Sequence, residues 1–329
     1  MKALLLCGAL VSLSFTGAKS DHFDGKTFHH PWGAIEAKSF FSVLKWKLTT
    51  DAAKWPAQVP ITPRPLPAQP VSGVDVTWIN HATFLVRFLG LNILTDPVWA
   101  ERASPFSFMG PRRVHAPGVP FAELPPIHVV VLSHNHYDHL NVETLRKLEE
   151  RDHPLFLVPL GDKEWLVRKG LTKVRELDWW EEEKVGEASF IFTPAQHWSA
   201  RSLWDRNESL WGGWWLRQGT KSVYHGGDTG LGPHFRMIRE RLGVPTVALL
   251  PIGAYEPRWF MESMHLNPSD AVQAALQLGA PTNVGMHFGT FQLTDEGHQR
   301  PAEELRSALV AHPTLDFRVP AVGETFHFE

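Results

Sequence analysis

Cysteine is almost missing: the 329 residues contain one, Cys7. A single thiol excludes an internal disulfide and a thiolate zinc cluster, so the fold must rest on burial and on other ligands. Tyrosine is scarce too, with three against 20 Phe and 14 Trp. No block of Lys and Arg and no long acidic tail interrupts the chain, whose formal charge is −3, and this argues against a nucleic-acid partner. Apolar runs long enough to span a bilayer are absent. The nearest, Ala3 to Phe15, follows Lys2 and leads to small residues around Ala18 and Ser20, which is the layout of a secretory signal peptide. The expectation is an exported protein, periplasmic or secreted. Its mature chain would have lost Cys7, Lys2 and Lys19 and would carry a charge of −5.

What remains is ordinary globular material, 43% hydrophobic and 20% charged, enough to bury a core. Three regions are expected: a signal peptide at 1–20, an N-terminal arm and Pro-rich connector at 21–70, and a catalytic domain at 71–329. The arm carries Phe23, Phe28, Trp32 and Trp46 and a short helix near 36–47, and six prolines from Pro56 to Pro70 keep the connector extended. The body opens with strand-like runs at 74–79, 83–88 and 92–94, an antiparallel meander. Residues 98–125 lack a period and suggest a long functional loop or lid. A strand at 127–132 precedes a helix capped by Asn141 and running to about 150. Further strands fit 155–158, 173–178, 188–193, 211–217 and 221–225. Helices at 233–242, 268–279 and 301–311 then alternate with strands at 246–250 and 282–286. Asn267, Pro268 and Gly279 frame the middle helix. By itself this pattern establishes only mixed α and β structure. Trp179, Trp180, Trp211, Trp214 and Trp215 read as core rather than as an acyl-chain groove.

One stretch stands apart. Val129-Val130-Val131-Leu132 runs into Ser133-His134-Asn135-His136-Tyr137-Asp138-His139, a buried strand ending in metal-ligand residue types. In an extended segment His134 and His136 face one way while Asp138 and His139 diverge, so one short loop can feed two adjacent metal positions. His197, Asp228 and His287 each follow another apolar run. Strand ends that bring polar groups to one rim suit a rigid metal site.

The motif His134 to His139 resembles the signature of the metallo-β-lactamase superfamily, in the branch of the N-acylphosphatidylethanolamine-hydrolysing phospholipases D. Other segments are similar to that branch, in order: Thr77 to Thr83, Leu94 to Pro97, Arg102 to Pro105, Met109 to Pro111, Pro194 to Trp198, Gly226 to Gly230 and Ile252 to Met261. Asn80 departs from the pattern, which has Gly there. The resemblance implies an α+β fold, an αββα sandwich with the metals at one edge. It implies two Zn2+ ions, or other divalent ions, one held by His134, His136 and His197, the second by Asp138, His139 and His287, with Asp228 bridging. Such a pair can hold a hydroxide nucleophile near neutral pH. Among catalytic candidates, Asp138 belongs to the motif itself. His265 resembles a substrate-side histidine that hydrogen-bonds a phosphate oxygen or protonates the leaving group, and Tyr137 and Arg201 match positions near the phosphate. His81 and Asp96 look like partners that orient the ligands.

The leading reading is a zinc-dependent phosphodiesterase of phospholipase D type, acting on a phosphodiester or ester substrate, with a phospholipid and a peripheral membrane contact among the candidates. A lactone or other ester hydrolase on the same site is the main competitor. A diiron oxidoreductase is disfavoured by His136, where a carboxylate would stand. A non-catalytic metal-dependent periplasmic binding protein would be expected to have lost ligands, and none of the seven is missing. Oligomeric state is not encoded legibly.

Overall fold

The strand-like runs form two seven-stranded sheets in the computed structural model, which describes residues 20–33 and 40–329. Residues 1–19 of the expected signal peptide, with Cys7, and residues 36–39 of the expected arm helix lie outside the described residues. In chain order the elements are α1 (Phe40–Thr49), β1 (Val74–Asn80), β2 (Thr83–Phe88), β3 (Leu91–Thr95), β4 (Val129–Val131), α2 (Val142–Asp152), β5 (Leu155–Pro159), α3 (Lys163–Arg168), β6 (Val174–Leu177) and β7 (Glu182–Val185). There follow β8 (Ala188–Thr193), β9 (Gly213–Gln218), β10 (Lys221–His225), α4 (His234–Leu242), β11 (Val247–Pro251), α5 (Arg258–Met261), α6 (Pro268–Leu278), β12 (Thr282–Met286), α7 (Arg300–Leu309), β13 (Asp316–Arg318) and β14 (Thr325–Phe328).

The first sheet runs β14-β1-β2-β3-β4-β5-β6 and the second β13-β12-β11-β10-β9-β8-β7. Each joins an antiparallel meander to a parallel set: β3 pairs parallel with β4, and β10 with β11. Alternation along the strands explains the layers. Val129 and Val131 face the other sheet, where Phe190, Phe192 and Trp214 meet them, while Val130 faces Leu145 and Leu148 of α2. Likewise Leu249 points between the sheets, and Ala248 and Leu250 point at α4 and α6. The fold is the expected αββα sandwich, with central strands such as β4 and β11 apolar throughout because both faces are covered.

Local signals located the helices well. Asn267 Oδ1 accepts from the Asp270 amide at 2.7 Å and the Asp270 carboxylate accepts from the Asn267 amide at 3.3 Å, a capping box with Pro268 inside it and Gly279 at its end. Asn141 Oδ1 caps α2 through the Thr144 amide at 2.9 Å. The elements without a sequence expectation are β7, β13 and β14 and the short α3 and α5. β7 is an edge strand carrying Glu182, Glu183 and Lys184; its charges blunt the edge and hide the alternation. The strand expected at 211–217 begins instead at Gly213, because the Gly212 amide crosses to the Ser133 carbonyl of the other sheet at 2.9 Å. Much of the expected lid, 98–125, is packed down, with Val98, Val114 and Val119 buried; its longest exposed run is the tip at 105–110. Trp179, Trp211, Trp214 and Trp215 are core, as expected, and Trp180 is half-buried under Arg241.

The arm is anchored rather than draped. Phe28 and His30 are buried, and His22 stacks on Trp179 at 4.1 Å between the ring centroids. His22 contacts Asp178 at 2.7 Å and Asp21 at 2.8 Å. Burial would lower its pKa, but the Asp178 and Asp21 carboxylates outweigh burial and raise it above 6.5. Stabilisation from a raised histidine is complete below pH 6.5 and disappears as pH climbs through the raised value. Replacing His22 by Gln should therefore lower the thermal midpoint at pH 6 and have a progressively smaller effect towards pH 9, as differential scanning fluorimetry would record; a gap that is constant with pH would show that the latch is not ionic.

Candidate metal centre

Four strand ends converge. After β4 the chain turns tightly, the His139 and Leu140 amides both donating to the His136 carbonyl at 3.1 and 2.8 Å. This brings His134, His136, Asp138 and His139 to one rim, which β8 completes with His197, β10 with Asp228 and β12 with His287. Gly227 makes the approach to Asp228 feasible: its φ is +58°, and a Cβ there would lie 2.6 Å from the Gly212 carbonyl oxygen and 2.7 Å from Ser133 Cβ. His81, Asp96 and His287 adopt φ of 46°, 38° and 62°, which costs on the order of 1–3 kcal/mol each. Surrounding bonds hold them there: His81 N donates to Thr290 Oγ1 at 2.9 Å and His287 N to the His81 carbonyl at 3.0 Å.

Four overlapping sets of ligand atoms result, one of them including His81 and another His265, and two match the expected pair of positions. In the first, His136 Nδ1 lies 2.8 Å from His134 Nε2 and 3.3 Å from His197 Nε2. In the second, His287 Nε2 lies 3.2 Å from His139 Nε2 and 3.3 Å from Asp138 Oδ2. Asp228 Oδ2 stands between them, 3.1 Å from His287, 3.3 Å from His139, 3.8 Å from His197 and 4.0 Å from His134. Ligand atoms held tetrahedrally at about 2.0–2.1 Å from zinc would be roughly 3.3 Å apart, so the spacing fits.

Partners outside the cluster orient the rings. Ser133 Oγ donates to Asp96 Oδ2 at 2.7 Å and is thereby free to accept from His134 Nδ1 at 2.9 Å. His197 Nδ1 donates to the Met264 carbonyl at 3.0 Å, and His139 Nδ1 to Asp96 Oδ2 at 2.8 Å. In the neutral ring each of the three then turns a bare Nε2 inward. Burial and the facing imidazoles push His134 well below the usual histidine value, and burial above all does the same to His197. Burial works the same way on His139 and His287, but the carboxylates of Asp228 and Asp138 overrule it, raising His139 well above the ordinary range and His287 to about 9. A divalent cation would stand in for those protons.

Asp96 is the hub behind the cluster. Besides His139 and Ser133 Oγ, it accepts from the Ser133 amide at 2.7 Å and from His225 Nε2 at 3.0 Å. Burial pushes its pKa up, yet His139 and His225 hold it far below. His81 Nε2 donates to Asp138 Oδ2 at 2.9 Å. Both residues thus contact candidate ligands, as an orienting role would require. Ser133 and His225 carried no sequence signal as orienting groups, since one is a small residue in the motif and the other closes a strand.

Tyr137 and Arg201 have structural contacts of their own. Both line the cavity over the cluster, but Tyr137 Oη donates to the Arg201 carbonyl at 2.7 Å, and Arg201 Nη1 donates to the carbonyls of Asn135 and Leu140 at 2.6 and 3.0 Å. The guanidinium also lies over the Tyr137 ring at 4.1 Å. These contacts brace the ligand loop and engage one of the three guanidinium nitrogens of Arg201. His265 differs: its side chain is 12% exposed beside the cluster, with Nδ1 3.9 Å from Asp228 Oδ2 and without a hydrogen-bond partner. The cavity measures about 750 Å3; His136, Asp138, Asp228, His265 and His287 form its floor, and Trp198, Phe260, Met261 and Met264 its apolar walls.

Similarity to known proteins agrees with this geometry. The family described as "Beta-lactamase superfamily domain" matches residues 91–288. The chain is 40% identical over 256 residues to N-acyl-phosphatidylethanolamine-hydrolyzing phospholipase D 1 of Caenorhabditis elegans, covering 74% of this chain and 72% of that one. The mitochondrial protein of the same designation from Saccharomyces cerevisiae is 37% identical over 236 residues, 70% of this chain and 50% of the yeast one. Among solved structures, a metallo hydrolase from Ignicoccus hospitalis superposes with a TM-score of 0.61 at 24% identity, over 78% of this chain and 99% of that one.

If Asp96 orients His139 as the contacts indicate, Asp96→Asn should weaken metal affinity about 10- to 100-fold in competition with a chromogenic chelator. An unchanged affinity would release His139 from its control.

Proposed function

The chain belongs to the metallo-β-lactamase superfamily, in the branch of the N-acylphosphatidylethanolamine-hydrolysing phospholipases D, and is a metal-dependent hydrolase; from that premise we propose that it is an exported, zinc-dependent phosphodiesterase of phospholipase D type acting on an amphiphilic phosphodiester. The observation that carries this reading is the pairing of a cavity with apolar walls and a floor of two ligand groups that share Asp228. His134, His136 and His197 would hold one ion, Asp138, His139 and His287 the second, and Asp228 both. Bound there, two divalent cations supply Lewis acidity and lower the pKa of a water towards neutrality.

The chain's own groups do the rest. Asp138 is kept ionised by His139, His287 and His81 against the pull of burial, and its carboxylate points into the cavity floor, where the reacting atoms would lie. His265 is pushed down to about 4, by burial first, so it meets substrate as a neutral ring. That favours a hydrogen-bond donor to a phosphate oxygen over a general acid. The apolar walls receive a chain and exclude water from the reacting centre.

A lipid source is favoured by the rim. Leu203 and Trp204 are 89% and 87% exposed beside the cavity mouth, and Phe108 and Met109 extend from the loop tip whose Phe106 lines it. Exposed apolar tips at the mouth of a cavity suit peripheral contact with a bilayer surface.

The reading is tested with a panel of phosphodiesters, phosphomonoesters and lactones on the zinc-loaded protein. Phosphodiesters in vesicles should be turned over best, and Leu203→Ser with Trp204→Ser should depress vesicle turnover while leaving a soluble phosphodiester unaffected. Preferred cleavage of lactones would transfer the site to carbon esters. A further expectation concerns His265: His265→Ala should keep its metals and lose about 10²- to 10³-fold in kcat, the range for removal of one transition-state donor. The loss should be the same for a nitrophenyl leaving group as for an alkyl one; a smaller loss with nitrophenyl would make His265 the general acid instead.

A further inference from the structure

Behind the first ligand group lies a buried carboxyl that neither the ligand set nor the cavity uses. Asp162 stands at the start of α3, where its side chain would ordinarily cap the helix, yet it makes no capping bond. It turns inward and is only 3% exposed. Its Oδ1 accepts from Ser209 Oγ at 2.8 Å and from Asn135 Nδ2 at 3.1 Å, and Asn135 Nδ2 also reaches Ser209 Oγ at 3.1 Å. Asp162 Oδ2 has no partner, and burial pushes the carboxyl up to about 7. Keeping such a group out of water costs stability, so its position calls for a use.

The neighbours indicate one. Asn135 lies between His134 and His136 in the motif. The Ser209 carbonyl accepts from Ser199 Oγ at 2.5 Å, and Ser199 is two residues beyond His197. Ser209 therefore touches, through its two polar groups, both strand ends that supply the first group. The β5–α3 turn is held against this segment as well: the Leu210 amide donates to the Leu160 carbonyl at 2.8 Å, and a Cβ on Gly161, at φ +95°, would lie 2.7 Å from the Glu208 carbonyl oxygen.

We propose that Asp162 is a positioning residue for the first metal position, tying, through Ser209 and Asn135, the loop that bears His134 and His136 to the strand end that bears His197. The second group, built from His139, His287 and Asp138 and oriented by Asp96 and His81, has no contact with this relay. The inference rests on the assignment of His134, His136 and His197 to one ion.

The test is a Co2+ titration of the metal-depleted mature protein followed by visible absorption, with thermal midpoints of the metal-free variants measured alongside. In Asp162→Ala one equivalent should bind about 10- to 100-fold more weakly while the other keeps its affinity. Ser209→Ala should show the same selectivity, so the question remains answerable if Asp162→Ala does not fold. Asp162→Asn, which keeps an oxygen for both donors, should restore most of the loss. Two unchanged equivalents, or equal weakening of both in step with a lower midpoint, would overturn the relay. His134→Ala serves as the control: if it still binds two equivalents, the ligand assignment fails; if it loses one while Asp162→Ala keeps both, only the relay fails.

Discussion

The constraint on which the rest depends is the crowding of electron pairs at one edge of the sandwich. Imidazole nitrogens 2.8 to 3.3 Å apart, with the Asp228 oxygen among them, attract one another only if protons or cations lie between. Left to themselves these side chains would turn to water. They are held by bonds on their far sides: His139 by Asp96, His134 by Ser133 and His197 by the Met264 carbonyl. Each such bond places one nitrogen's proton outward and so presents the other nitrogen inward.

Those outer bonds in turn require the two sheets to be in register at that edge. Trp214 Nε1 of the second sheet donates to the Leu132 carbonyl of the first at 2.9 Å, and the Gly212 amide to the Ser133 carbonyl at the same distance. Both fall at the end of β4, where the ligand loop begins. The apolar layer between the sheets, from Val129 and Val131 to Phe192 and Trp214, therefore sets the spacing of the site as well as the stability of the fold. Close packing transmits small shifts, so a core change near Trp214 reaches the ligands without touching them.

Of the seven non-glycine residues with positive φ among the described residues, three fall in or directly behind the candidate metal centre. His81, Asp96 and His287 all lie in the left-handed region, where a side chain is disfavoured, and all three belong to the ligand set or its immediate support. The arm contributes from the opposite side, since His30 Nε2 reaches the His197 carbonyl at 2.9 Å. A segment expected only to lie against the body thus contacts the backbone of a proposed ligand.

From the chain alone one could read the candidate ligand residues that the fold brings together, the strand ends that carry them, the Asn141 and Asn267 caps and the arm's aromatic anchors. These signals are local: an apolar run, a cap or a motif is complete within about ten residues. The resemblance to a known family added the sandwich, which periodicity alone did not specify. What only the tertiary structure decided depends on partners far apart in sequence. The resemblance placed Arg201 near a phosphate, and its engagement with the Asn135 carbonyl, which spans 66 residues, appears only in the fold. Asp162 and Ser209 carried no signal, because their bonds to Asn135 span 27 and 74 residues. A side chain's type fixes which bonds it can make, but its role depends on which partners the fold leaves within about 3 Å, and that distance is set by the packing of two sheets whose strands interleave along the chain.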